Sequence, residues 1–412
     1  MLSSAHTTRH LLSKVPEVTL FFWIIKILCT TVGETAADYL NVNLNFGLIV
    51  TSILMGLLLV GALIWQFRST VYVPSIYWFT VVCISIFGTL VTDNLTDNFD
   101  VPLEISTFIF SVLLLGTFWW WYRAEGTLSI HSIFTRKREI FYWLAILWTF
   151  ALGTAAGDLL AEGLGFGYVT TGLLVASTIA IMTVSWRLGL QPVLAFWIIY
   201  ILTRPLGASL GDFLTQPLKY GGLGFGVATT SALFGMAIIF TIIYLTRTKV
   251  DIISEAELLA DQKSNTRINI YQFLILAGVI ALVSVGGYVT YQTPIVVLNG
   301  SQTEQVALVE KNSTDVSARE TLSSLGDLQS FKVIVSDMKR AAEAGNFTLE
   351  KERAGDLEFE WDAAEATLKS RDKSTWSDID DKIDAVLRQA RATRPDAVKN
   401  IEALQALQAV LK

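Results

Sequence analysis

Asp38, Asp93, Asp158 and Asp212 each close an apolar run, and each follows a tryptophan by fifteen residues. A carboxylate beside hydrocarbon is costly, so it must find a partner or serve a purpose there. Helix stability does not explain the choice, because an anion at a helix carboxyl end meets the negative pole of the dipole. Two explanations remain open. Carboxylates from several runs converge on an aqueous cavity that binds a cation or relays protons, or each carboxylate caps the unpaired amides of the helix that follows it. Two further charges break the pattern. Glu34 occurs only in the first run, four residues before Asp38 and so on the same helical face. Arg204 occurs only in the fourth, seven residues after Trp197, where an arginine in an apolar run requires a counter-charge. Glu34 or one of the aspartates is the expected partner, either in a specialised site or in a private buried ion pair. Lys26 lies nearer the other end of its run and is expected to snorkel to the interface.

These residues belong to a repeat. Trp23, Gly33 and Asp38 follow the pattern W-x9-G-x4-D, and so do Trp78, Gly88 and Asp93; Trp143, Gly153 and Asp158; and Trp197, Gly207 and Asp212. After each aspartate come a short polar link and a second apolar run. Three of those runs open with Phe-Gly, at Phe46-Gly47, Phe166-Gly167 and Phe225-Gly226, whereas the second has Val101-Pro102. Each second run ends in an arginine: Arg68, Arg123, Arg187 and Arg247. The glycines and alanines before the aspartates suit close helix packing.

The runs have the length of membrane-spanning helices, about 20 residues each. They predict helices over 18–39, 46–67, 73–92, 103–122, 139–158, 166–187, 192–213 and 224–246, with a ninth span at 270–292. The fold class is therefore all-α: a polytopic membrane protein of about nine transmembrane helices, four parallel two-helix repeats plus one. The expected divisions are an amino terminus over 1–17, repeats over 18–70, 71–127, 138–190 and 191–249, a linker over 250–269, the ninth helix over 270–293 and a helical domain over 294–412.

The 412 residues are 52% hydrophobic with a mean hydropathy of +0.50, too apolar for an ordinary soluble protein. Charged residues make up 17% and crowd into the last third. There, helices are expected over 315–345, 349–371, 376–393 and 395–411, with Trp361 and Trp376 as core anchors. Cys29 and Cys83 both lie in apolar runs, which argues against a disulfide framework. His6, His10 and His131 all lie outside the spans, which argues against an intramembrane haem or histidine-metal site. Basic residues mark alternate loops, so the amino terminus is expected in the cytoplasm and 294–412 outside it, periplasmic or extracellular.

Four tandem two-helix units, each with a tryptophan and a Gly-then-Asp ending, resemble the bacterial membrane-anchored proteins built from a "repeat of unknown function". The resemblance covers residues 18–249 and implies a multi-pass protein of the bacterial inner membrane. It brings no substrate with it. The charge pattern leads to an expected transporter or channel for a cation, a metal ion or a proton-coupled solute. The alternative is a non-transporting sensor or scaffold whose 294–412 domain binds a partner protein. No Ser-His or HExxH signature occurs, so no enzyme and no cofactor are expected. The expected partners are the lipid bilayer, a cation of unknown identity and a protein outside the cytoplasm, with no nucleic acid.

Overall fold

A computed structural model describes residues 13–44, 46–99, 101–164, 166–216, 222–252, 324–392 and 395–411. The expected ninth span over 270–293 lies outside the described residues, as do 253–269 and 294–323. The chain divides into two units, Met1–Tyr288 and Val289–Lys412.

The first unit holds eight helices long and apolar enough to cross a membrane. They are α1 (Leu20–Asp38), α2 (Leu48–Arg68), α3 (Pro74–Asp93), α4 (Leu103–Glu125), α5 (Arg136–Asp158), α6 (Gly167–Arg187), α7 (Pro192–Thr215) and α8 (Val227–Thr248). Pro74 and Pro192 sit in the first turns of α3 and α7, where a missing amide proton costs nothing. Gly47 and Gly226 precede α2 and α8 with φ of 75° and 73°, and Gly167 opens α6 with φ of 70°. That backbone conformation belongs to glycine, which explains the Phe-Gly openings. Pro102 precedes α4 at φ −54°, so the second repeat enters its outer helix by a different turn.

The tryptophan-bearing helices α1, α3, α5 and α7 pack in a closed ring, each on the next and α7 back on α1. The second helix of each repeat packs outside the ring against the first helix of the next repeat: α2 on α3, α4 on α5, α6 on α7 and α8 on α1. In the most apolar stretch of each helix, 56–72% of residues are buried in the inner four and 11–39% in the outer four. The outer helices therefore present apolar side chains such as Leu57, Phe108, Leu173 and Phe240 to the surroundings.

Two layers hold the ring together. In the first, each motif glycine admits the side chain three residues before the next motif glycine. A Cβ on Gly33 would lie 1.9 Å from Ser85, on Gly88 2.9 Å from Phe150, on Gly153 2.5 Å from Arg204 and on Gly207 2.0 Å from Thr30. Hydroxyls bond across the same seams, Thr31 to the Gly207 carbonyl at 3.0 Å and Thr92 to the Ala151 carbonyl at 3.2 Å. In the second layer, the residue before each motif tryptophan meets the next repeat's tryptophan. Ring centroids lie 5.5 Å apart for Phe22–Trp78, 5.4 Å for Tyr77–Trp143, 6.4 Å for Tyr142–Trp197 and 5.7 Å for Phe196–Trp23.

The second unit is a four-helix bundle of α9 (Gln329–Glu343), α10 (Phe347–Arg371), α11 (Lys373–Ala390) and α12 (Ala397–Val410), each packed on the next and α12 on α9. The expectation of one helix over 315–345 is corrected within the described residues. Residues 324–328 form a turn around Gly326, whose φ of +101° stops a helix there. Asn346, Asp372 and Asp396 cap α10, α11 and α12 through their side chains. Trp361 and Trp376 stack in the core at 5.8 Å, and Trp361 Nε1 donates to Asp380 at 2.8 Å.

Replacing a seam glycine forces two inner helices apart, so Gly207→Val is expected to destabilise by about 1–3 kcal/mol. Gly61 on α2 has nothing within 4 Å of a would-be Cβ, and Gly61→Val is expected to stay within about 0.5 kcal/mol. Thermal unfolding of both variants in detergent measures the contrast, and equal losses would refute the seam.

Candidate functional site

The ring places equivalent residues of the four repeats in layers along one axis. One turn toward the Asp end from the glycine-filling residues Thr30, Ser85, Phe150 and Arg204 come Glu34, Thr89, Thr154 and Ala208. Arg204 is wholly buried, and its guanidinium is satisfied by the three other repeats. Its Nη2 donates to the Glu34 carboxylate and to the Thr89 hydroxyl. Its Nε donates to Thr154 Oγ1 at 3.1 Å and its Nη1 to the Thr30 carbonyl at 3.2 Å. An arginine thus crosses the axis, bonded to the same repeat position three times over. Pro205 follows it and leaves the Ile201 carbonyl without a helical amide donor.

The acidic end lies one turn further. Asp38, Asp93, Asp158 and Asp212 are all half-buried in the last turns of the inner helices. The charges with the strongest hold on Asp93 are Glu34, Asp97, Asp38 and Arg204. Carboxylates of the first two repeats therefore come together beside the arginine. Asp158 and Asp212 stand at the same level on α5 and α7, outside that leading group. After Asp38, Asp93 and Asp158 the helices widen into a single π turn, at Tyr39–Asn43, Asn94–Asn98 and Leu159–Gly163. α7 carries straight on to Thr215.

The other end is closed by Ser13–Glu17. Lys14 pairs with buried Glu139 at 2.7 Å, and Gln66 donates to the same carboxylate at 3.1 Å. The Glu17 amide donates to the Asp251 carbonyl, and the Tyr72 amide to the Ser13 carbonyl. Tyr72 Oη donates to the Asp251 carboxylate at 2.5 Å, while Trp78 Nε1 donates to Tyr72 Oη at 3.2 Å. Trp197 Nε1 reaches the Leu128 carbonyl at 3.0 Å. Burial pushes the Asp251 carboxyl above the usual carboxylate range, and the Tyr72 bond only partly offsets this.

Lys26 does not snorkel. It is wholly buried, with its ammonium 3.9 Å from the Phe150 ring centroid and 4.1 Å from that of Tyr200. Its side chain points inward because α1 is an inner helix flanked by α3, α7 and α8, with no path to the surface. Thr89 and Thr154 escaped the sequence reading. Aligning the repeats on Glu34 would have singled them out.

Comparison with known families adds one finding. A family model described as "Repeat of Unknown Function (DUF347)" matches residues 21–72, 76–127, 141–188 and 195–251. The chain belongs to this family. No curated protein and no solved structure matches it. Each DUF347 unit supplies one inner and one outer helix, yet the outer helix packs on the following unit. The DUF347 repeat therefore completes its packing only in the closed ring.

Glu34→Ala would leave Arg204 buried without its anion, with an expected loss of about 3–5 kcal/mol. Adding Arg204→Met is expected to recover most of it, as a double-mutant cycle in thermal unfolding would report. Additive losses would contradict the pairing. Because folding raises the Asp251 pKa, its favourable contribution is full below the unfolded value of about 3.9 and fades as pH rises through the folded value. Asp251→Asn removes that dependence, so its stability relative to the parent should improve from pH 4 to pH 7. A constant difference would contradict the burial.

Proposed function

We propose that the protein is a membrane transporter and not an enzyme, in which uptake of a cation at the acidic end drives movement of a solute along the ring axis. The observation that carries this reading is the convergence of polar side chains from all four repeats, charged in three of them, on one axis. Arg204 of the last repeat is held by Glu34, Thr89 and Thr154 of the other three, with Asp93 and Asp38 alongside. A ring that served only to anchor a tail would be no less stable with an apolar axis, since buried ion pairs contribute little net stability.

Among the described residues no three His, Cys, Asp or Glu side chains are grouped closely enough to hold a metal ion. That favours the proton as the coupling cation. A guanidinium fixed across the axis repels permeating cations, which favours a gated carrier over an open pore. The Arg204–Glu34 pair is the place for a switch, since it joins the arginine of the last repeat to the acidic end and can differ between two states of the ring. Arg68, Arg123, Arg187 and Arg247 end the outer helices at the Trp end. The positive-inside rule puts that end in the cytoplasm of a bacterial inner membrane and the aspartates outside. A ninth span over 270–293, expected from its sequence, would put 294–412 outside as well.

The test is a pH-gradient-driven flux assay in proteoliposomes with a trapped pH indicator. Glu34→Gln and Asp93→Asn are expected to lower proton-coupled flux at least about tenfold. Removal of 295–412 is expected to leave it largely intact. Undiminished flux in both Glu34→Gln and Asp93→Asn would sink the reading, and flux lost only with the tail would favour a sensor that binds a partner through that domain.

A further inference from the structure

One cation on the axis lacks a counter-charge. Lys26 has neither a carboxylate nor any other hydrogen-bond acceptor at its Nζ among the described residues, although it is wholly buried. The charged and polar groups near it are Cys29 on its own helix and Arg204 and Tyr200 on α7. Arg204 is already paired with Glu34. The Tyr200 hydroxyl is also buried without a partner. Close to Tyr200 stands Tyr142, whose hydroxyl is hydrogen-bonded to that of Tyr77 at 2.5 Å; one of the two donates to the other, and the second proton has no further acceptor among the described residues. The Phe150 and Tyr200 rings soften the burial of the ammonium, but they accept no hydrogen bonds in its place.

The core between the tryptophan layer and Arg204 thus holds unpartnered donors and a lysine with no counter-charge. A buried ammonium calls for an anion, and unspent hydroxyl donors call for an acceptor. A single small monovalent anion meets both needs. We propose that Lys26 and Tyr200 form the solute site and hold a small monovalent anion of the carboxylate or halide class. The word solute rests on the transport reading above, whereas the binding itself does not. An acidic end that takes a proton and a basic centre that takes an anion would together move a neutral pair.

The experiment is thermal unfolding of the full chain in detergent at constant ionic strength, with bromide or acetate replacing the bulky anion gluconate. The parent is expected to gain a few degrees, saturably, with either small anion. Lys26→Met removes the buried charge along with its binding partner, and its melting temperature is expected to be independent of the anion. Tyr200→Phe, which keeps the ring over Lys26, is expected to raise the saturation midpoint at least about threefold, reflecting one lost hydrogen bond. Absence of any anion-dependent rise in the parent would overturn the proposal. So would an unchanged midpoint in Tyr200→Phe together with an unchanged rise in Lys26→Met. If Lys26→Met fails to fold, the Tyr200→Phe midpoint alone decides. Saturable binding without proton-coupled flux would uphold the anion site and remove the transport reading, while flux without anion-dependent stabilisation would do the reverse.

Discussion

Everything in the membrane unit depends on four glycines that let four helices touch. In hydrocarbon there is no hydrophobic gain from bringing apolar helices together, so close packing and hydrogen bonds across the seam must supply the attraction. Gly33, Gly88, Gly153 and Gly207 leave the space into which Ser85, Phe150, Arg204 and Thr30 fit, and the last contact joins the fourth repeat to the first. The same order recurs at the other end, where Phe22, Tyr77, Tyr142 and Phe196 each meet the tryptophan of the next repeat. Two layers roughly 15 Å apart along the inner helices, from ten residues at 1.5 Å each, enforce one cyclic order. The motif spacing is this distance written in sequence.

Closure also permits asymmetry. The position that fills each glycine seam is Thr30, Ser85 and Phe150 in three repeats and Arg204 in the fourth. A Cβ at residue 153 would overlap the Arg204 stem, so the glycine that joins the third repeat to the fourth is also what admits the arginine. The axial position one turn on is Glu34, Thr89, Thr154 and Ala208, and its first three members all accept from that arginine. A buried arginine is costly unless every donor is used, and here symmetry provides acceptors from three directions. The fourth repeat, which carries the arginine, supplies alanine at the acceptor position.

The spans were legible because apolar length and proline or glycine punctuation mark helix ends directly. α5 was expected at 139–158 and runs Arg136–Asp158, while α4 was expected at 103–122 and runs to Glu125. The repeat was equally plain, since tryptophan, glycine and aspartate recur at fixed distances. The cyclic order was not, because periodicity assigns a residue to a helix face without saying which helix it meets. Lys26 shows the cost of that gap. Judged by depth alone a lysine near a helix end snorkels, but α1 has three helical neighbours and Lys26 faces the axis. The π turns after three of the aspartates were also invisible, since they arise where the chain leaves the ring and turns toward the next outer helix.

The geometry also divides four look-alike aspartates. α1 lies between α3 and α7 in the ring, so a carboxylate on α1 has Asp93 on one side and Arg204 on the other. Glu34 occupies that place, one turn below Asp38, and links the arginine to the acidic end. Asp158 on α5 comes from the inner helix that is not a ring neighbour of α1. Duplication supplied four equivalent positions. The pairing of Glu34 with Arg204 makes the sector where α3, α1 and α7 adjoin unlike the rest. This ring, with one acid and one arginine added to a repeated frame, is built to differ from one side to the other.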